Sequence, residues 1–214
     1  MKDLIIIGAS GHGKVVADIA KLCGYRNIVF LDNNPNLSSC GGYPVLGSLD
    51  MADELDGNLF IAIGNGQVRE KLMKRFQQRF FPVLIHPSAT VAEDVEIQCG
   101  TVVVAGAVIN PNVKIGCGAI VNTASSIDHD CIIGDYVHVA VGAHLCGTVR
   151  VGNETWIGAG SVVSNNITVC SDVTIGAGAV VVRDIKTPGK YVGAPAKRLV
   201  KSIGREGVPC SDRV

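Results

Sequence analysis

The residues in this sequence best able to do chemistry are histidines, and one of them stands between two carboxylates, in Asp128-His129-Asp130. A neutral imidazole accepts a proton near neutral pH, and an adjacent carboxylate raises its basicity and fixes its tautomer. His129 is therefore a candidate general base, with Asp130 as its partner. The competing reading is a solvated surface histidine with acidic neighbours. His12, His86, His138 and His144 complete the set.

A second constellation is Gly8-Ala9-Ser10-Gly11-His12-Gly13-Lys14. It follows the apolar run Leu4-Ile5-Ile6-Ile7 and precedes an amphipathic stretch, so free backbone N–H groups at a helix start can cradle a phosphate. Asp32, after the next apolar run, invites a ribose and hence a dinucleotide. The segment holds only one mononucleotide-binding half, which favours the diphosphate of a nucleotide sugar. A purely structural turn is the third reading.

The elements that position these residues are set by a repeat. Steps of six from Ile85 meet Val91, Ile97, Val103, Ile109, Ile115, Val121, Ile127, Ile133, Val139, Leu145, Val151, Ile157, Val163, Val169, Ile175 and Val181, all aliphatic. A second register, from Ala89 through Ala107, Ala119, Cys131 and Ala143 to Ala179, is small or β-branched. A period of six fits neither a helix nor a long strand. It fits short strands joined by tight corners, three to a coil, with aliphatic side chains stacked inside a triangular prism. Residues 85–181 then form between five and six coils. Glycine often follows the aliphatic position, as in Ile115-Gly116 and Ile133-Gly134, where it would allow a backbone conformation other residues resist. On such a prism His129 and His138, nine residues apart, are half a coil from each other and meet only across a subunit interface.

Residues 1–84 follow another rhythm. Leu4–Ile7, Ile28–Leu31 and Leu59–Ile63 read as buried strands. A helix after Gly13 has Val15, Val16, Ile19, Ala20 and Cys23 on one side and stops at Gly24. A second helix lies near residues 67–79. This is a small βαβαβ sheet, with glycine-rich turns at the carboxyl ends of its strands, where open α/β sheets bind ligands.

Lys+Arg and Asp+Glu are both 19, and the zero net charge argues against nucleic acid, which demands a basic surface. Aromatics at 5% and 26 glycines suit thin layers of small side chains. The eight cysteines show no C-x-x-C pair, so buried reduced thiols are expected rather than a disulfide framework. The N-terminal apolar run is too short for a signal peptide, and no stretch suffices for a membrane span. A cytoplasmic protein is expected.

The hexapeptide pattern resembles that of left-handed parallel β-helix acyltransferases, typically trimers that hold acyl-CoA between neighbouring prisms. The runs from Gly8 to Val16, Phe30-Leu31-Asp32, Ile61-Ala62-Ile63-Gly64-Asn65, Asp128 to Gly134, His138 to Ala143 and Val192 to Arg198 look closer still to the bacterial UDP-amino-sugar N-acetyltransferases, and to their sialic acid O-acetyltransferase relatives. The fold implied is a Rossmann-like domain over residues 1–84, a left-handed β-helix over 85–187 and a C-terminal tail over 188–214.

The resemblance implies acetyl-CoA as co-substrate, a UDP-amino sugar as acceptor and active sites shared between subunits of a homotrimer. His129 would be the base for the sugar 4-amine, and Asp130 would raise its basicity. His138 would contact acetyl-CoA near its thioester, Ala159 and Ala177 would line the CoA groove, and Lys197 would meet the CoA phosphates. Ser10, Gly11, His12, Asp32, Asn33, Gly64 and Gly147 would hold the nucleotide sugar. Relatives often have Glu where Asp130 stands and Asp where Asn33 stands. No metal is implied. A zinc-dependent carbonic anhydrase would need three converging imidazoles, and a non-catalytic nucleotide-sugar sensor is the other rival. The same base would serve an amine or a hydroxyl, and UDP, dTDP and GDP are not distinguished.

Overall fold

A computed structural model describes residues 3–200. Its N-terminal unit comprises β1 (Asp3–Ile7), α1 (Gly11–Leu22), β2 (Asn27–Leu31), β3 (Ser39–Cys40), β4 (Tyr43–Gly47), β5 (Asn58–Ile61) and α2 (Gly66–Arg75). The sheet order is β3-β4-β2-β1-β5, parallel except for the β3–β4 hairpin. Strands β1, β2 and β5 match the three apolar runs of the sequence. Strand β4 was not legible there: Pro44 and Gly47 break its pattern, and a proline is tolerated near a sheet edge. Helix α1 buries Gly13, Val16, Ala17, Ile19 and Ala20. Val15, expected on that side, is 38% exposed because it lies at the rim of the stripe.

From Leu84 to Val181 the chain forms seventeen strands of two or three residues, each parallel to the strand one coil away. They make three faces. The first runs from Leu84–Ile85 through His138–Val139 and Trp156–Ile157 to Val173–Ile175. The second runs from Thr90–Val91 through Ser126–Ile127 and His144–Leu145 to Val180–Val181. The third runs from Glu96–Ile97 through Ile132–Ile133 to Thr168–Val169. The step-six aliphatic residues and the small second register fill one continuous core, from Val103 and Ala107 to Ala179 and Val181. Each fully buried Val, Ile or Leu contributes about 1.5–3 kcal/mol, and the parallel ladders satisfy the backbone polar groups between them.

The corners correct one expectation. Left-handed φ occurs at every sixth residue from Gly100 to Gly178, and the series includes Asn112, Asp130, Glu154, Asn166 and Asp172. Gly116, Gly134, Gly152, Gly158 and Gly176 are outside this series. They are glycines for lack of space: a Cβ on Gly152 would lie 2.4 Å from Ser171 N, and one on Gly158 2.4 Å from Ile175 O. The next coil packs directly on them.

The two units share cores. Val16, Ala20 and Tyr25 cluster with Leu84, Val102, Val104 and Ile120 of the first face. Met73, Phe76 and Phe81 meet Cys117 and Tyr136. The chain beyond the last coil extends the first face: Gly189–Val192 pairs parallel with Val173–Ile175, and Lys197–Arg198 folds back antiparallel. The cysteines among the described residues are free thiols. The last part of the expected C-terminal tail, residues 201–214, lies outside the described residues.

Candidate functional site

His129 stands at the corner between the second and third faces. Its neighbour Asp130 occupies a left-handed position, φ 61°, which aspartate tolerates better than most residues. That turn brings Asp130 Oδ2 to 2.7 Å from His129 Nδ1. The dyad is braced from the coil before it. Asn110 Nδ2 donates to Asp128 Oδ1 at 2.7 Å, and Asn112 Nδ2 donates to Asp130 Oδ1 at 3.2 Å. Asp128 Oδ1 also accepts the His129 N–H at 2.8 Å.

The hydrogen bond to Asp130 raises the His129 pKa above its ordinary value. The same bond lowers that of Asp130, and the Asn110 bond lowers that of Asp128. With Nδ1 facing a carboxylate, the neutral ring keeps its proton there and leaves Nε2 as the acceptor. Beneath that atom lies Gly147, where a Cβ would be 2.6 Å from His129 Nε2. The exposed imidazole is therefore seated on a glycine floor with its basic nitrogen available. That nitrogen is placed to accept a proton.

His138 is elsewhere. It is buried on the first face, its ring centroid 4.0 Å from Trp156 and 6.4 Å from His12. Asn122 Nδ2 lies 3.1 Å from its Nε2. Its Nδ1 is a buried atom without a hydrogen-bond partner among the described residues, as is His12 Nε2. Burial, with the Arg69 charge added, lowers His138 to about 3 and His12 to about 4. Both rings are neutral at physiological pH.

The expected substrate residues sit at the carboxyl ends of the sheet, but in separate places. Ser10 starts α1 with no side-chain cap bond, followed by Gly11 and then His12, which faces His138. Asp32 and Asn33 line a cleft of about 470 Å³ with Gly8, Lys71 and Arg75. Asp32 also holds the glycine turn, since its Oδ2 accepts the Ala9 N–H at 2.8 Å and its Oδ1 that of Asn34 at 2.9 Å. Gly64 borders another cleft, of about 440 Å³, with Glu154, Trp156 and Asp172. Ala159 and Ala177 are exposed and stacked one coil apart at the edge between the first and second faces, where Gly178 N–H donates to Ala159 O at 2.9 Å. Lys197 lines a cleft of about 500 Å³ at the base of the prism with Arg183 and Tyr191.

One chain thus unites His129, Asp130 and Gly147, and separately His12, His138 and Gly64. It does not bring His129 to Ala159 and Ala177, which occupy another edge. Among the described residues no three His, Cys, Asp or Glu side chains gather as metal ligands, and no helix is long and apolar enough to cross a membrane.

Residues 3–76 match the PglD N-terminal domain family, and 148–183 match the bacterial transferase hexapeptide family (six repeats). The acetyltransferase domain of PglB from Neisseria gonorrhoeae is 42% identical, with a TM-score of 0.90 over 93% of this chain and 100% of that one. The chain belongs to the hexapeptide-repeat sugar N-acetyltransferases. The same PglB domain has been solved with acetyl coenzyme A, at 42% identity and a TM-score of 0.89 over 92% and 99% of the two chains. PerB from Caulobacter crescentus, in complex with CoA and GDP-perosamine, is 34% identical, with a TM-score of 0.88 over 94% and 98%. The UDP-N-acetylbacillosamine N-acetyltransferase of Bacillus subtilis is 36% identical over 113 residues, 49% of this chain. That match spans about half, 52%, of the curated relative's length. As a member of this family the chain is an acyltransferase, built as a Rossmann-like domain followed by a β-helix.

Sequence reasoning missed Arg69. It is 1% exposed and donates to five backbone carbonyls on both units. A signal was present: Arg69, Leu72, Met73 and Phe76 recur at the spacing of one helix face, so the arginine holds a core position.

Proposed function

We propose that this acetyltransferase moves the acetyl group of acetyl-CoA onto the 4-amine of a nucleotide-linked amino sugar, with UDP-4-amino-4,6-dideoxy-N-acetylglucosamine as acceptor and UDP-N,N′-diacetylbacillosamine as product. The observation that carries the chemistry is the His129–Asp130 pair over Gly147. As the amine attacks the thioester carbonyl it must lose a proton, and His129 Nε2 is the free acceptor. Asp130 keeps the proton on Nδ1 and stabilises the imidazolium that forms. The bacillosamine acceptor rests on the Bacillus relative's name and the PglB likeness. The perosamine enzyme, named with a GDP-linked sugar, marks the nucleotide as the feature that varies among relatives.

The separation of His129 from Ala159 and Ala177 supports a site shared between copies. In a homotrimer, the base at one edge of a prism faces the Ala159–Ala177 edge of its neighbour, and acetyl-CoA lies between them. His138 then stands beside the thioester, and Ser10, Gly11, His12, Asp32, Asn33 and Gly64 hold the nucleotide sugar. Lys197 reaches the CoA phosphates. The protein would work in the cytoplasm, where acetyl-CoA is available.

The test is free-thiol release from acetyl-CoA in the presence of the UDP-amino sugar. Release by the wild type that falls by about two to four orders of magnitude in His129→Ala, the scale of losing a general base, supports acceptor and base together. Release only with dTDP- or GDP-amino sugars, or with sialic acid, overturns the acceptor. Unchanged turnover in the variant removes His129 from the mechanism.

A further inference from the structure

Arg69 is a buried charge that the proposed chemistry does not use. It projects from α2 at 1% exposure, and no carboxylate among the described residues pairs with it. Burial lowers its pKa to about 10, so it remains a cation at neutral pH. All five of its N–H groups are engaged. Nη1 donates to Ile63 O at 2.8 Å and Gly64 O at 2.7 Å, in the turn that follows β5. Nε donates to Gly118 O at 2.8 Å, and Nη2 to Tyr136 O at 2.6 Å and Val137 O at 3.4 Å, all on the prism.

The acceptors have a pattern. Gly118 and Tyr136 are corner residues with left-handed φ of 61° and 58° on successive coils. One planar fork thus joins the glycine turn of the N-terminal unit to two stacked corners, the second of them two residues before His138. The rest of the junction is mainly apolar contact, which favours burial but specifies no angle. Five directional bonds to fixed carbonyls do specify one. Lysine, with three donors on a flexible stem, cannot reproduce them.

We propose that Arg69 is a positioning residue that pins the Gly64 turn to the prism. It thereby sets where a sugar held by the N-terminal unit stands relative to the transfer chemistry. The last clause rests on the function proposed above, and the pin itself does not. The sequence supplies a probe for the pin: Trp156 is the only tryptophan. It packs against His138 with the rings tilted by 49°, and a Cβ on Gly64 would be 3.7 Å from its ring. Its emission and quenching report directly on the docking of the turn.

The experiment compares the full-length wild type with Arg69→Lys and Arg69→Met, at a temperature where circular dichroism shows each variant folded. Acrylamide quenching of Trp156 is measured beside acetyl-transfer kinetics. The expected result is at least a twofold rise in quenching in both variants. With it, kcat falls at least tenfold and KM for the sugar nucleotide rises, while KM for acetyl-CoA stays within twofold. A lower melting temperature with wild-type quenching and kinetics would make Arg69 a stabilising residue only and overturn the proposal. A loss that strikes both KM values equally would overturn it too, because a general loosening of the fold does that. The quenching arm needs no acceptor, so an incorrect acceptor is seen as an inert wild type and is distinguishable from a failed pin. If Arg69→Met does not fold, Arg69→Lys decides alone: wild-type quenching in it refutes the pin.

Discussion

Replacing Gly147 with alanine tests the proposed base without touching it. The added Cβ would lie 2.6 Å from His129 Nε2 and 2.7 Å from Cε1, where carbon contacts prefer about 3.5 Å. The ring must therefore shift by about 0.9 Å. Gly147 is not among the left-handed residues, so alanine brings no backbone strain. The imidazole side chain is 54% exposed and can swing outward at little cost to stability. The swing displaces the proton acceptor and pulls Nδ1 from its 2.7 Å bond to Asp130. A misplacement of about 1 Å can cost roughly a hundredfold in rate. Gly147→Ala should therefore lower kcat by about 10²-fold, with the melting temperature nearly unchanged. It should also move the acid limb of the pH profile down, because the bond that raises the His129 pKa is lost. Thiol release measured from pH 5 to 9 reads both effects, with calorimetry as the control for folding. A variant with wild-type kcat and an unshifted acid limb would refute the idea that His129 Nε2, seated on Gly147, takes the proton.

Asp130→Asn keeps a residue that tolerates φ 61° but removes the charge, so the acid limb of kcat should shift to lower pH and kcat should drop; an unmoved limb counts against the dyad. His12 and His138 are neutral in the fold, with pKa values near 4 and 3, whereas unfolded histidine titrates near 6.5. The unfolded state therefore binds more protons below that pH, and stability falls as pH drops from about 6.5 toward 4, by about 2 kcal/mol per histidine at pH 5. Urea unfolding at fixed protein concentration checks this, and His138→Gln should flatten the slope. His129 acts in the opposite direction, its raised pKa favouring the fold at low pH. Gly152→Ala places a Cβ 2.4 Å from the Ser171 backbone N and should destabilise by about 1–3 kcal/mol through overpacking. Gly160→Ala meets no atom within 4 Å but has φ +63°, so its cost should be nearer 1 kcal/mol, from left-handed strain alone. Thermal melts of the pair separate the two reasons for glycine.

Much of the architecture was legible because the solenoid core is periodic. A side chain pointing into a prism three strands wide must recur every sixth residue, so the aliphatic series from Ile85 to Val181 fixed coil number and face by counting. Strands β1, β2 and β5 of the N-terminal sheet were legible for a related reason, being continuous apolar runs. Strand β4 escaped because Pro44 and Gly47 interrupt its apolar pattern, which its place next to the short edge strand β3 tolerates. The reason for glycine at positions such as 116 and 152 was misread, since a sequence shows that a side chain is missing but not which atom occupies its place.

For the site, the sequence determined the His129–Asp130 pair. His129 and Asp130 are chain neighbours, and the left-handed corner that joins their side chains belongs to the repeat itself. The glycine under Nε2, the burial of His138 against Trp156 and His12, and the reach of Arg69 to the prism corners are relations between residues 18 to 126 positions apart. These relations depend on how coils stack and how one domain docks on another. Only the tertiary structure decided them, because short-range pattern fixes which face a residue lies on, while contact between distant residues is set by packing.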